Sequence, residues 1–312
     1  MSGLVEVAEK VPFLGIILVF VATSVLQGGS VIAKTMNINP IPLVFLREVF
    51  TTLFMMPFLI HADETPFPRG KRTIMIFCGA VTGILLMAHF YAVRYLPLAD
   101  VMMISSIKPI SSTLLSCIFL KEACGPLEIL NLILVCSGIL LVVQPSFMFG
   151  STDQQYTFTM LCIAVRLMLA NAFAGIISVI LRYLKDMHWS AVAVSTRFFG
   201  TVEIAVVCAA LGIFCLPECG MERFNVLVLA VIGCGVQAAI IIALKIEEAH
   251  VVTVVDNATG IVMANIFQIV FFSDHPNTLK IIGSCLVITS ILIIGGQKAW
   301  KLEKEARKKS AL

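Results

Sequence analysis

Residues 105–115 read SSIKPISSTLL, which places a lysine directly before a proline inside a long apolar segment. Lys108 is costly there because hydrocarbon disfavours a charged side chain, and Pro109 lacks the backbone amide that a helix needs. The proline also crowds the carbonyl group of Ser105, one turn earlier. In a bilayer such an irregularity survives only where it is packed in protein or lines a wet cavity. The stretch therefore predicts a polar cavity inside a membrane protein.

The composition supports the membrane assignment, with 59% hydrophobic residues, 13% charged residues and a mean hydropathy of +1.00. A helix needs about 20 apolar residues to cross a hydrocarbon core of roughly 30 Å. Ten windows of about that length are found: Phe13–Ala33, Pro42–Ile60, Thr73–Tyr95, Leu98–Phe119, Pro126–Val143, Tyr156–Leu181, Ser190–Leu216, Phe224–Leu244, Val251–Phe272 and Leu279–Ile294. We therefore expect an all-α membrane protein with ten transmembrane helices.

The basic residues that lie outside the windows, or within one residue of a window's end, predict the orientation of the chain. Ten crossings put both termini on one side, and that side carries fourteen Lys and Arg residues against four on the other. Cytoplasmic loops are enriched in Lys and Arg, so both termini are predicted to be cytoplasmic. The choice between plasma membrane, endoplasmic reticulum and Golgi stays open, and the near-balanced net charge of +3 gives no indication of a nucleic-acid partner.

A constant spacing of 150 residues relates the two halves of the chain. The matched pairs are Arg47 and Arg197, Thr51 and Thr201, Gly83 and Gly233, Ala99 and Ala249, and Pro126 and Pro276. An odd number of crossings in each half puts the halves in opposite orientations, so the spacing predicts two inverted five-helix repeats. Such repeats bind substrate at their interface, near the bilayer midplane.

Two quoted segments carry a resemblance to a known family. Residues 95–143 read YLPLADVMMISSIKPISSTLLSCIFLKEACGPLEILNLILVCSGILLVV, and residues 243–272 read ALKIEEAHVVTVVDNATGIVMANIFQIVFF, with Thr259 standing where the first copy has Pro109. The chain resembles the drug/metabolite transporter superfamily with two EamA-type repeats, and LVVQPSFMFG and LPECGMERF are most similar to subfamily G of solute carrier family 35. The resemblance implies a ten-helix carrier that works by alternating access on largely anionic metabolites. It departs from the family at Lys108.

The predicted organisation follows from the windows and this resemblance. The parts are a first EamA-type repeat at 13–143, a linker at 144–155, a second repeat at 156–295 and a basic cytoplasmic tail at 296–312. The tail is interpreted as topology charge with attraction to anionic lipid. A docking surface for a membrane partner is the alternative.

Lys108 is the first candidate site residue. A polar stripe recurs at helical spacing through Ser105, Lys108, Ser112 and Ser116, and we expect it to face inward. Three explanations of the lysine stay open: contact with substrate, a structural ion pair with Glu48 or Glu203, and a lipid-side defect.

Three arginines complete the predicted cationic set. Arg47 and Arg197 are related by the repeat and could clamp a ligand with two anionic ends, because guanidinium binds carboxylate or phosphate bidentately. Snorkelling to the membrane surface is the alternative for this pair. Arg166, near the middle of its window, is a further candidate for substrate contact.

Acidic and polar candidates face these cations. Asp256, Glu48 and Glu203 are candidate counter-ions or proton sites, and hydration near the membrane surface is the alternative for Asp256. Asn257 either contacts substrate or makes a packing hydrogen bond between helices.

Cations exceed acids by one within the windows, so the sequence predicts a secondary-active transporter of an organic anion, either a carboxylate or a sugar-phosphate type of metabolite. The alternative is a non-transporting membrane partner or regulator that retains the carrier fold. An enzyme is not expected, because no HExxH motif, Gly-x-Ser-x-Gly motif or pair of aspartates on facing windows is present. No cofactor or metal is predicted. The expected partners are a small anionic metabolite and the lipid bilayer, and a homodimer is left open.

Overall fold

The fold is seen in a computed structural model of the chain. It describes residues 13–36, 38–62, 65, 70–96, 98–120, 125–143, 158–214, 220–272 and scattered positions within 278–296. All regular secondary structure in these residues is helical. The predicted linker 144–155 and the predicted tail 296–312, with all of its basic residues, lie outside the described part, apart from position 296.

The long helices follow the predicted windows. They are α1 (Leu14–Thr35), α2 (Pro40–His61), α3 (Arg72–Tyr95), α4 (Leu98–Ser105), α5 (Ile107–Leu115), α6 (Pro126–Val143), α7 (Phe158–Tyr183), α8 (Trp189–Leu211), α9 (Met221–Ile246) and α10 (Ala249–Phe272). A π-helical turn, Ser116–Leu120, continues α5, and the described positions between 278 and 296 are also helical.

Seven of these helices are long and apolar enough to cross a membrane: α1, α2, α3, α7, α8, α9 and α10. The other three predicted windows contain shorter apolar helices, at Ile107–Leu120, Ile129–Gly138 and Ile281–Ser290. The protein is therefore a multi-pass, all-helical membrane protein, and the full count of ten crossings stays a prediction.

The fourth window is broken where the lysine and proline predict an irregularity. α4 ends at Ser105, Ser106 forms a turn, and α5 begins at Ile107, so the break lies just before Pro109. Proline is a recognised cause of such a break because it removes one hydrogen bond and crowds the preceding turn. In α10, Thr259 stands 150 residues after Pro109, and the helix runs without interruption. The backbone therefore opens at the segment that contains the proline, beside Lys108.

Helices from the two halves of the chain pack closely on one another. α1 packs against α9 and α10, α7 packs against α3 and α5, and α8 packs against α2 and α3. Glycines permit the closest approaches: a Cβ at Gly79 would lie 2.8 Å from the Thr196 carbonyl oxygen, and one at Gly175 would lie 2.8 Å from the Lys108 carbonyl oxygen. Small residues at such contacts let membrane helices approach backbone to backbone.

The ends of the helices are joined by two similar clamps. The Arg94 guanidinium, at the end of α3, donates hydrogen bonds to the carbonyl oxygens of Lys34 and Met36 at 3.4 and 2.9 Å. The Lys245 ammonium, at the end of α9, donates to the carbonyl oxygens of Lys185 and Met187. Donor and acceptors in the second clamp are each 151 residues later than in the first. The second clamp therefore repeats the pattern of the first at a constant spacing of 151 residues.

Candidate functional site

An ion pair between α5 and α10 lies beside the helix break. The Lys108 ammonium is 2.6 Å from the Asp256 carboxylate, and the two side chains are 23% and 14% exposed. Thr23 of α1 donates a hydrogen bond of 2.7 Å to the other oxygen of Asp256. Three helices therefore converge on one carboxylate.

This geometry replaces one interpretation of Lys108. The predicted alternative, an ion pair with Glu48 or Glu203, names the wrong partner. The Lys108 ammonium pairs with Asp256 instead. A lysine at the centre of a transmembrane helix costs about 3 kcal/mol on insertion scales, and an aspartate at 2.6 Å offsets that cost. Both partners keep some exposure, so the pair remains partly accessible.

The backbone break is joined to α10 by a second polar contact. Asn257 donates a hydrogen bond of 3.2 Å to the Ser106 hydroxyl, which itself donates to the Met102 carbonyl oxygen at 3.0 Å. The interhelical hydrogen bond proposed for Asn257 is therefore present. Ser106 was missed by the sequence reasoning because it lies off the stripe of Ser105 and Ser112, although its place three residues before the proline is a usable signal.

The two predicted serines of the stripe differ in their surroundings. Ser105 is half-buried, and its hydroxyl donates to the Val101 carbonyl oxygen at 2.8 Å within its own helix. Ser112 is fully buried, and its hydroxyl has no hydrogen-bond partner among the described residues. Neither serine contacts the Lys108 ammonium through a hydrogen bond that the described residues show.

A second charged cluster joins α2 to α8. Glu48 accepts a hydrogen bond of 2.6 Å from Arg197, and its other oxygen lies 3.5 Å from the Arg47 guanidinium. The three residues are 1%, 6% and 3% exposed, respectively, so the snorkelling alternative for the arginines is wrong. Glu48 is thus the shared counter-ion of both predicted clamp residues. We call Arg47, Glu48 and Arg197 the arginine–glutamate cluster.

Neighbouring groups orient the two arginines without neutralising them. Arg197 donates to the Gln237 side-chain oxygen on α9, and Arg47 donates to the Leu229 carbonyl oxygen at 3.4 Å. The Arg47 guanidinium also lies 5.1 Å from the centre of the Phe90 ring, within the range of a cation–π contact. Gly233 makes this possible, since a Cβ there would come within 2.9 Å of an Arg47 nitrogen.

The arginine–glutamate cluster holds one more positive than negative charge and has unfilled hydrogen-bonding capacity. Nε of Arg197 is buried and has no hydrogen-bond partner within the described segments, and Nη1 of Arg47 has an ion-pair contact of 3.5 Å with Glu48 but no hydrogen bond there. Buried polar groups are normally satisfied, so such donors call for a partner such as a ligand or water. An anionic oxygen fits both their charge and their hydrogen-bonding chemistry.

His89 is a further member of this region, and sequence reasoning missed it. The charges of Arg47, Lys108 and Asp256 all act on its ring, which places it within electrostatic range of both charged groups. His89 lies near the end of α3, where aromatic side chains commonly sit at the membrane surface. Only the packing of α3 against its neighbours brings it to the charged residues.

Glu203 stands apart from the cations. Its Oε2 atom is buried without a hydrogen-bond partner in the part of the chain that the structure describes, and it lies against Gly83 at the contact of α8 with α3. Of the three candidate acids, Asp256 and Glu48 are therefore counter-ions, whereas Glu203 faces no basic group that the described residues place there.

Arg166 also lies apart from the other cations. It lines a cavity of about 760 Å³ between α3 and α7, with Tyr91 and mostly apolar side chains around it. Arg166 lies eight residues after the start of α7 at Phe158, and Tyr91 beside it lies four residues before the end of α3 at Tyr95.

The described residues contain no group of three or more His, Cys, Asp or Glu side chains that could hold a metal ion. Their chemistry is that of charge recognition: two buried or partly buried ionic groups, a broken helix beside one of them, and helices of both halves around them. This arrangement defines a multi-pass membrane protein with a polar interior of the kind that transporters possess.

Comparison with known proteins gives the family. The EamA-like transporter family matches residues 13–144. The chain is 29% identical to human solute carrier family 35 member G1 over 89% of this chain and 78% of the relative. It is 25% identical to the pseudopaline exporter CntI of Pseudomonas aeruginosa over 82% of this chain and 86% of the relative. The chain therefore contains an EamA domain of the drug/metabolite transporter superfamily and is homologous to solute carrier family 35 member G1.

A solved crystal structure supports the fold. It superposes with a TM-score of 0.73 over 90% of this chain and 95% of its own, at 13% sequence identity. At that identity the likeness concerns the fold alone. The sequence-based recognition of the family is confirmed, and the homologues are membrane transporters.

Proposed function

We propose that this protein is a secondary-active transporter that carries an organic anion, a carboxylate or sugar-phosphate type of metabolite, by alternating access. The single observation that carries the proposal is the arginine–glutamate cluster, a buried group with one excess positive charge and an unpartnered N–H donor on Arg197. A buried excess charge is costly unless something compensates it. A transported anion would provide that compensation.

The ion pair of Lys108 and Asp256 supplies a second part of the proposed mechanism. A substrate carboxylate or phosphate can replace the Asp256 carboxylate on the Lys108 ammonium, because the two acceptors are chemically alike. Asp256 then keeps its hydrogen bond from Thr23, so the displaced charge is not left without a partner. The pair would act as a latch between α5 and α10 that opens when the anion binds.

The latch joins the two proposed repeats. Lys108 belongs to the first half and Asp256 to the second, as do Glu48 and Arg197, so both ionic groups cross between halves. A conformational change that moves one half relative to the other must break or rearrange these contacts. A ligand that interacts differently with the two arrangements is what shifts such an equilibrium.

The inverted repeat itself is part of the proposal. It is supported by the equivalent clamps of Arg94 and Lys245 and by the reciprocal packing of α1 on α9 and α7 on α3. We propose repeats at 13–143 and 156–295, with both termini in the cytoplasm. Both homologues named above are transport proteins by name, which favours transport over the regulatory alternative.

Transport can be tested with purified protein in liposomes. Uptake of radiolabelled succinate and glucose 6-phosphate represents the two proposed substrate classes, and the Lys108→Gln variant should lose most of the uptake of whichever anion is carried. Lys185→Gln is the matched control, because Lys185 is an exposed lysine outside the spans. Full uptake in Lys108→Gln would remove Lys108 from the site. No uptake of any anion in a broad panel by the natural protein would favour the non-transporting alternative.

The arginine–glutamate cluster needs a separate measurement because its variants also lose stability. Ligand-induced thermal stabilisation reports binding to whatever folded protein remains, since a ligand bound only to the folded state raises the melting temperature. We expect Arg197→Lys to fold and to lose the stabilisation by the transported anion, because an ammonium cannot reproduce the guanidinium's paired donors. Unchanged stabilisation would exclude the two arginines as an anion clamp.

A further inference from the structure

The cavity between α3 and α7 opens towards the hydrocarbon of the bilayer. Its walls include Phe77, Ile84, Leu169, Phe173 and Leu211, which are apolar, exposed and located on membrane-spanning helices. Exposed apolar side chains within a span face lipid. The cavity is thus a lateral groove, distinct from the ionic interior formed by α2, α5, α8 and α10.

One charged side chain lies in this groove. Arg166 is exposed and makes no hydrogen bond or ion pair with any residue that the structure describes. It lines the groove beside Tyr91, which is four residues before the end of α3 at Tyr95, or about 6 Å at 1.5 Å per residue. An intramembrane arginine without a protein partner is costly and normally meets an anion or the headgroup region.

The position of Arg166 matches the level of lipid headgroups. Its charge acts on the hydroxyl group of Tyr91, and the Tyr91 ring packs 4.7 Å from the Tyr95 ring at the end of α3. Tyrosines are enriched at this boundary because their rings are apolar and their hydroxyl groups are polar. Arg166 and Tyr91 therefore present a cation and a phenol just inside the membrane surface.

The groove is long enough for an acyl chain. Along α3 it extends from Tyr91 to Phe77, which is about 21 Å at 1.5 Å per residue. Half of the hydrocarbon core is roughly 15 Å thick, so an acyl chain that spans one leaflet fits within the length of the groove. The volume of about 760 Å³ is within the range of sites that enclose small molecules.

We propose that this groove binds a phospholipid with an anionic headgroup, whose phosphate contacts Arg166 and whose acyl chain lies between α3 and α7. A lipid is favoured over a water-soluble anion because the groove opens to the bilayer and its walls are almost wholly apolar. A lipid seated there contacts one helix from each half of the chain. The membrane composition would then influence how the halves move.

Native mass spectrometry of the full chain in non-ionic detergent tests the site. The probes are phosphatidylglycerol, a diacylglycerol with the same acyl chains, and inorganic phosphate with succinate as soluble anions. We expect phosphatidylglycerol to remain bound, diacylglycerol to bind at least about tenfold more weakly, and the soluble anions not to compete. Arg166→Gln should lower the affinity for phosphatidylglycerol by about tenfold or more, because a hydrogen-bonded charge contact is lost.

Matched variants separate the headgroup contact from the groove. Arg166→Lys should retain part of the binding, and Leu169→Trp should weaken it by filling the groove from an exposed wall position. Arg223→Gln and Ile17→Trp change an exposed arginine and an exposed apolar residue outside the groove, and both should leave binding unchanged. Equal retention of phosphatidylglycerol by Arg166→Gln would overturn the proposal, as would equal binding of diacylglycerol. Competition by phosphate or succinate would instead identify a site for a soluble anion and would also overturn it.

Discussion

Replacing both members of the Lys108–Asp256 pair should restore most of the stability that either single replacement removes. At a separation of 2.6 Å and an effective dielectric constant of about 20, two unit charges attract by roughly 6 kcal/mol. Removing both ions from water costs several kcal/mol each, so the intact pair contributes little net stability. Removing one partner leaves the other without compensation, which typically costs 3–5 kcal/mol for a buried pair. The side chains are 23% and 14% exposed, so about 3 kcal/mol is expected for Lys108→Gln and for Asp256→Asn.

The double variant Lys108→Gln/Asp256→Asn has neither charge, and we expect its stability to be within about 1 kcal/mol of the natural protein. Thermal unfolding in detergent measures this, with a thiol-reactive dye that reports when the fully buried Cys78 and Cys208 become accessible. At about 2 °C per kcal/mol, each single variant should melt about 6 °C lower, and the double variant within about 2 °C of the natural protein. A double variant that loses the sum of the two single losses would refute the argument, because the charges would then not stabilise one another.

Three further predictions use single side chains. Glu48→Gln should lower the free energy of unfolding by about 4 kcal/mol, because both arginines then lose their counter-ion. Glu203→Gln should change it by less than about 1 kcal/mol. Equal losses in the two variants would contradict the assignment of Glu48 as the shared counter-ion. Gly175→Ala should lower the free energy of unfolding by about 2 kcal/mol, because its Cβ would lie 1.9 Å from the Ser111 hydroxyl. Gly235→Ala, with no atom within 4 Å of its Cβ, should be neutral or stabilising. A tolerated Gly175→Ala would mean that α5 and α7 are less closely packed. Thr23→Val should lower the free energy of unfolding by about 2 kcal/mol in the same assay, and by much less in the Asp256→Asn background. An equal loss in both backgrounds would show that the threonine acts through some other contact.

The sequence by itself predicted the membrane class, the windows occupied by the long helices, the family and the irregular backbone near Pro109. These features depend on local chemistry. A run of about 20 apolar residues partitions into hydrocarbon wherever it lies in the chain, and a proline disrupts a helix at its own position. For the same reason the costly residues, Lys108, Arg47 and Arg197, could be singled out without knowing what surrounds them.

Only the tertiary structure decided which charges meet. Asp256 is 148 residues from Lys108, and Glu48 is 149 residues from Arg197, so no local pattern joins them. The partner of a charged side chain depends on which helices pack together and on how each is rotated. Glycines such as Gly233 decide that by allowing close approach. The same packing placed Arg166 in the cavity between α3 and α7, apart from the other cations. Its charge alone would have grouped it with them.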